Sequence, residues 1–368
     1  MQHTGYTAHV SHLAPVLSWR AATSGSIVGS LVVDASGTLY AASASGHVYA
    51  YSRDGARRWV FPTQAAVFGS PTLGPDSTIY VGDLSGRIYA INPNGTQRWA
   101  YPIAGSQDAR ILQSPGVGPD GTVYVCSWDG RVHAIAPGGT QRWDVSLGGY
   151  LSASPAVDTT GTIYVVGYSN NNLRVYALNP SNGSEKWRFQ KGMGSTSYGS
   201  FPTYIKSSVC IDEARGRVYV GANCPDRGYF CCLNLATGSQ VSWVTFDHSL
   251  YSAPAVGPDG TVYFGALDGC LYAYNPETGT ERWHFQTDGE FIFGSPLVDG
   301  EGYVYVGASD GCLYRIVPGG FESWRFATNA DVRSTPLIDE NGLIYFGSHD
   351  SHLYAVGGPS AASRWHKY

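Results

Sequence analysis

The chain has 368 residues, of which 14% are charged and 13% aromatic, with 47 glycines and a formal net charge of −5. Little charge and many aromatics describe a dense, turn-rich folded protein and exclude a disordered one. No Lys/Arg block offers the electrostatic footprint of a nucleic-acid binder, and no run of about 18 apolar residues offers a membrane span.

The first element is Leu17-Ser18-Trp19-Arg20, which matches Gln97-Arg98-Trp99-Ala100 but lacks the strands that should precede it. One phrase then recurs eight times, roughly S-P-x-V-x-x-x-G-x-x-Y-V-G followed by x-x-x-G-x-L-Y-A-x-N-P-x-G-T-x-x-W. The copies cover about residues 28–59, 68–99, 112–143, 152–187, 206–243, 251–283, 293–324 and 333–365. After Trp19 they close on Trp59, Trp99, Trp143, Trp187, Trp243, Trp283, Trp324 and Trp365, at intervals of 40, 40, 44, 44, 56, 40, 41 and 41 residues. A fixed period of about 40 residues with strand-like content means a propeller or a solenoid.

The second copy shows the plan. Ser70–Leu73, Thr78–Gly82, Arg87–Ile91 and Gln97–Ala100 are short runs rich in β-formers, separated by clusters such as Asn92-Pro93-Asn94-Gly95 that turn the chain. Four strands per copy predict an all-β, eight-bladed propeller of four-stranded antiparallel blades, one domain over 1–368. The Trp19 strand should complete blade eight and remove an exposed edge. Trp365 competes for that slot, but Gly357-Gly358-Pro359-Ser360 is poor strand sequence, so Trp19 is read as the latch and Trp365 as a tail. Tyr40, Tyr80, Tyr124, Tyr164, Tyr219, Tyr263, Tyr305 and Tyr345 share one position, which reads as inter-blade packing. The recurrent Gly82, Gly221, Gly265, Gly307 and Gly347 would permit close approach between blades.

Seven cysteines is an odd number. Cys231-Cys232 aligns with Ala90-Ile91 and reads as inter-blade filler, with a vicinal disulfide as the alternative. No Cys/His spacing matches a zinc site, and no metal is expected.

Val262-Tyr263-Phe264-Gly265-Ala266-Leu267-Asp268-Gly269, then Leu271-Tyr272-Ala273-Tyr274-Asn275-Pro276-Glu277-Thr278-Gly279 and Trp283, resembles the pyrroloquinoline-quinone-type propeller repeat. The resemblance covers about residues 17–365. It implies either a quinoprotein alcohol dehydrogenase or a cofactor-free scaffold similar to the assembly lipoprotein of the β-barrel machinery. The dehydrogenases hold Ca²⁺ with Glu and Asn, use a catalytic Asp, and place a vicinal disulfide above the quinone. No such Glu/Asn/Asp set is placed on this chain, and its vicinal pair lies on a repeat strand. No cofactor is therefore expected, with pyrroloquinoline quinone and Ca²⁺ as the alternative.

Identical positions hold the fold, so function should lie where the copies differ. Two variable rings border the channel. One is Val28, Phe68, Leu112, Ser152, Lys206, Tyr251, Phe293 and Arg333. The other is Ser26, Ala66, Arg110, Tyr150, Tyr204, Ser249, Phe291 and Asp331. Cations among aromatics suit an anionic or aromatic ligand, or else these residues plug the channel. Asp331 and Arg333 should share a face and pair. Acid–base candidates are Asp108, Asp247, His248 and Asp331, with His248 beside a Tyr. Residues 191–204, including Tyr198, form the longest insertion, a candidate lid or partner edge. With residues 167–172 and 224–227, it marks blades four and five as specialised.

The expected function is a rigid, monomeric scaffold that binds a small anionic or aromatic ligand, or a protein partner, at the channel mouth. The alternative is an enzyme there, a quinone-type oxidoreductase or a lyase/hydrolase. The compartment stays open. The resemblance implies periplasm or secretion, whereas Met1-Gln2-His3-Thr4-Gly5 begins no signal peptide and the odd cysteine count allows cytoplasm.

Overall fold

Short runs of Val, Ile, Tyr and Ala cut by turns build 32 strands and, among the described residues, no helix. They form eight four-stranded antiparallel sheets, the blades of a propeller. The computed structural model describes residues 5–11, 14–103, 110–151, 153–170, 172–193, 208–224 and 227–357.

Blade two realises the sequence reading closely, as Thr72–Leu73, Ile79–Gly82, Arg87–Ile91 and Gln97–Pro102 from the channel outward. The inner strand is the shortest because eight blades converge there. Hairpins between the second and third strands and loops from an outer strand to the next inner strand share one face, here called the mouth. The remaining turns form the opposite face.

Blade closure follows the expectation. Leu17–Ala22 pairs antiparallel with His352–Val356, Trp19 opposite Ala355 and Ala22 opposite His352. This adds the fourth strand to Leu337–Ile338, Ile344–Ser348 and His352–Val356. Trp365 lies outside the described residues.

The repeated aromatics pack between blades. All eight position-sharing tyrosines are buried, and those of blades one, two, three, four and six meet the tryptophan closing their own blade at a tilt. Most of these tryptophans reach a carbonyl in the next blade's outer turn: Trp59 Nε1 donates to Pro93 at 2.9 Å, Trp99 to Pro137 at 2.8 Å and Trp143 to Pro180 at 2.9 Å. A Cβ on Gly265 would lie 2.1 Å from Ile292 Cγ2, so the recurrent glycine is a spatial requirement of the blade contact.

The vicinal cysteines face opposite ways, as neighbours on a strand must. Cys231 belongs to the apolar layer between blades four and five, and Cys232 to that between five and six. Both are buried free thiols, so the inter-blade reading holds and the vicinal disulfide does not.

Two features of the channel were not anticipated. The serine of the S-P phrase ties neighbouring blades at the axis. Ser30 N–H donates to Ser70 Oγ at 2.7 Å, Ser70 to Ser114 at 2.8 Å, Ser114 to Ser154 at 3.1 Å and Ser154 to Ser208 at 3.3 Å. Residues 5–7 also enter the channel and run parallel to the inner strand of blade seven, Leu297–Val298. No helix among the described residues is long and apolar enough to cross a membrane.

Candidate functional site at the channel mouth

Converging inner strands leave a cavity of about 640 Å³ on the axis. The first variable ring opens into it through Val28, Phe68, Tyr251, Phe293 and Arg333. The described members of the second ring stand outside that lining, on the rim. The two rings are thus an inner throat and an outer collar. Ser152, Tyr204 and Lys206 lie outside the described residues, as do Asp108 and Tyr198.

On one side of the mouth, the guanidinium of Arg333 sits 4.4 Å above the Phe293 ring and donates to Asp331 Oδ2 at 2.7 and 3.1 Å. Phe293 meets Tyr251 edge-on at 5.8 Å and Phe291 at 5.6 Å. The pairing of Asp331 with Arg333 is the one the two-residue spacing called for. His349 N–H donates to Asp331 O at 2.9 Å. Burial and then the Arg333 charge hold the His349 imidazole below its usual pKa. Its Nε2 is buried and has no hydrogen-bond partner among the described residues.

A second cluster stands on blades three and four. Arg110 lies 4.3 Å over the Trp128 ring, and Trp128 meets Tyr150 at 6.1 Å. Tyr150 is fixed by reciprocal backbone bonds to Tyr168, at 2.9 and 3.0 Å, on the lengthened hairpin of blade four. That hairpin joins Ile163–Ser169 to Asn172–Leu178, and blade five joins Arg217–Cys224 to Arg227–Asn234. Both extend beyond the Ile79–Gly82 type, as the insertions at 167–172 and 224–227 suggested.

Trp128 and His349 were missed because both sit on second-to-third-strand hairpins, in neither ring. Trp128 had one signal: it is the tryptophan that fits no closing position of the repeat.

The acid–base candidates are dispersed. Asp247 and His248 are exposed, and His248 Nε2 lies 3.8 Å from Asp268 Oδ2, which accepts the Tyr272 hydroxyl at 2.5 Å. That is a surface ion pair when His248 is protonated. Asp331 is held by Arg333. Among the described residues no group of three or more His, Cys, Asp or Glu side chains could hold a metal ion. Cys231 and Cys232 cannot cap a quinone from opposite sides of a buried strand. The vicinal pair therefore does not fit the cap over a quinone that the repeat resemblance implies.

The family model described as outer membrane protein assembly factor BamB matches residues 16–114 and 86–223. No curated protein matches the chain. Among experimental structures, BamB from Moraxella catarrhalis is 20% identical with a TM-score of 0.75, covering 94% of this chain and 100% of its own. A europium-containing methanol dehydrogenase is 13% identical with a TM-score of 0.77, covering 97% of each. A quinohemoprotein alcohol dehydrogenase from Comamonas testosteroni is 16% identical with a TM-score of 0.79, covering 96% of this chain and 78% of its own. At these identities the structural likenesses speak to the fold alone.

Proposed function

This chain belongs to the family of the outer membrane protein assembly factor BamB, and we propose that it is a monomeric, cofactor-free scaffold that receives a protein partner at its channel mouth. The observation that carries the reading is the pair of cation–aromatic clusters at the mouth, Arg110–Trp128–Tyr150 and Arg333–Phe293–Phe291. Arg, Trp and Tyr are the residues that most often anchor protein interfaces. Tyr150 is 44% and Phe291 36% exposed, so both clusters present aromatic surface outward. The fitting partner segment carries carboxylates beside apolar or aromatic side chains, and a small anionic ligand would use the same groups.

A photo-crosslinking amino acid at Tyr150 or Phe291 in the native host tests this, with Phe321 as control. Phe321 is 73% exposed on a turn of the opposite face. The expected result is a discrete protein adduct from the mouth positions that disappears when Arg110→Ala and Arg333→Ala are combined, with the melting temperature nearly unchanged. An adduct that survives the double substitution, or that forms equally from Phe321, sinks the proposal. An absorption and native mass spectrum separates it from an enzyme at the same mouth, since a bound quinone with Ca²⁺ would overturn the scaffold.

A further inference from the structure

The inner strand of every blade pairs in the same register: Val33 opposite Leu39, Leu73 opposite Ile79, Val256 opposite Val262, Val298 opposite Val304 and Ile338 opposite Ile344. That register turns the N–H and C=O of the second inner-strand residue toward the channel. In blade seven this edge is in use. Val298 N–H donates to Gly5 O at 2.7 Å, and Val298 O accepts from Thr7 N–H at 2.9 Å. Among the described residues this is the only bridge to an inner edge.

Two glycines shape the place. A Cβ on Gly5, whose φ is +61°, would lie 2.5 Å from Ala255 Cβ. A Cβ on Gly300 would lie 2.9 Å from the Ala8 carbonyl oxygen. The turn position of Gly300 holds Ala35, Pro75, Pro119, Thr159, Glu213, Pro258 and Glu340 in the other blades, so blade seven alone is pared back to backbone there. Gly300 does not have a positive φ, so conformation does not demand the glycine, whereas the passing strand does. Tyr6, 40% exposed, and Thr7 then border the same 640 Å³ cavity that opens at the mouth.

We infer that the channel-side edge of blade seven is a peptide-binding slot that reads an extended glycine–aromatic–threonine segment. Residues 5–10 occupy it in this structure, and a partner's segment of the same pattern exchanges into it. Backbone bonds to Val298 supply the pairing, and the Ala255 contact selects glycine. The inference rests on the reading that the mouth receives a protein partner, since the cavity leads from that mouth to the slot.

The probe is a fluorescent synthetic peptide of residues 1–12, added to full-length protein. In the native chain the tethered segment competes at an effective concentration of the order of millimolar. Thr7→Pro removes the donor to Val298 and weakens that competitor. The Thr7→Pro protein is expected to bind the peptide at least about 10-fold more tightly than the native protein. Adding Gly300→Glu, the residue blade eight carries at this turn, should abolish binding, and a peptide with valine in place of its glycine should not bind. No saturable binding, equal binding to native and Thr7→Pro proteins, or binding indifferent to Gly300→Glu overturns the slot. The assay touches neither Arg110 nor Arg333, so loss of the mouth adduct and failure of the slot are separate results.

Discussion

The inter-blade tryptophan bond gives a test in which the fold supplies its own control. Replacing a closing tryptophan by phenylalanine keeps a ring against the neighbouring blade but removes the Nε1 donor. At Trp99 this abolishes a 2.8 Å bond to Pro137 O, and at Trp19 a 2.8 Å bond to Arg53 O. Trp324 holds the same repeat position, yet among the described residues its buried Nε1 has no partner. The cost common to all three sites is the smaller ring. The added cost at Trp99 and Trp19 is one hydrogen bond, about 1 kcal/mol net, with a turn carbonyl left without its donor. Trp19→Phe and Trp99→Phe should therefore each lower stability by about 1 kcal/mol more than Trp324→Phe, roughly 2 °C in melting temperature. Calorimetry of the three variants at one protein concentration reads it. Trp19 adds a second check, because its indole also lies 6.4 Å from Tyr51 and 6.0 Å from Tyr345. If Trp19→Phe costs nothing while Trp99→Phe costs the full amount, the closing strand is not bound like an ordinary outer strand. Equal losses at all three sites refute the hydrogen-bond account.

Deleting residues 1–25 removes the whole closing strand and should expose the His352–Val356 edge, seen as aggregation in size-exclusion chromatography. A monomeric truncation with an unchanged melting temperature refutes the closure. Gly265→Ala forces a Cβ into Ile292 and should cost about 1–3 kcal/mol in denaturant unfolding. Gly138→Ala, whose Cβ meets nothing within 4 Å, should cost far less. Burial holds the His133 imidazole below its usual pKa, while the unfolded chain titrates near 6.5. Stability from this group is full above about pH 6.5 and is lost as pH falls below it, by at most one proton, about 1.4 kcal/mol per pH unit. His133→Gln should flatten that slope between pH 7 and 5, and an unchanged slope assigns it elsewhere. Cys231 and Cys232 should ignore a thiol reagent until the protein unfolds, since burial raises both thiols, Cys232 to about 12.

The repeat made the fold legible because each structural demand is met eight times, and the variable rings became visible as what the repeat leaves unexplained. Phe293, Arg333 and Tyr251 surfaced this way, and so did the Asp331 pairing, since two residues on an extended segment share a face. Residues that act only through the fold stayed hidden. Trp128 reaches Arg110 from a hairpin that no alignment of inner segments includes. Gly5-Tyr6-Thr7 lies outside the repeat and is too short for a strand signal of its own, because its pairing is decided by the edge it meets. Gly300 carried the missing information. Its blade alone gives up a side chain at that one turn position, and the gap is explained only by a strand that sequence periodicity cannot see. In a repeat protein the uniform positions report the architecture, whereas a single departure from them reports what the architecture holds. By that logic Arg333 and Gly300 mark two ends of one path, from the charged aromatic mouth through the cavity that Gly5, Tyr6 and Thr7 also line to the backbone edge of Val298.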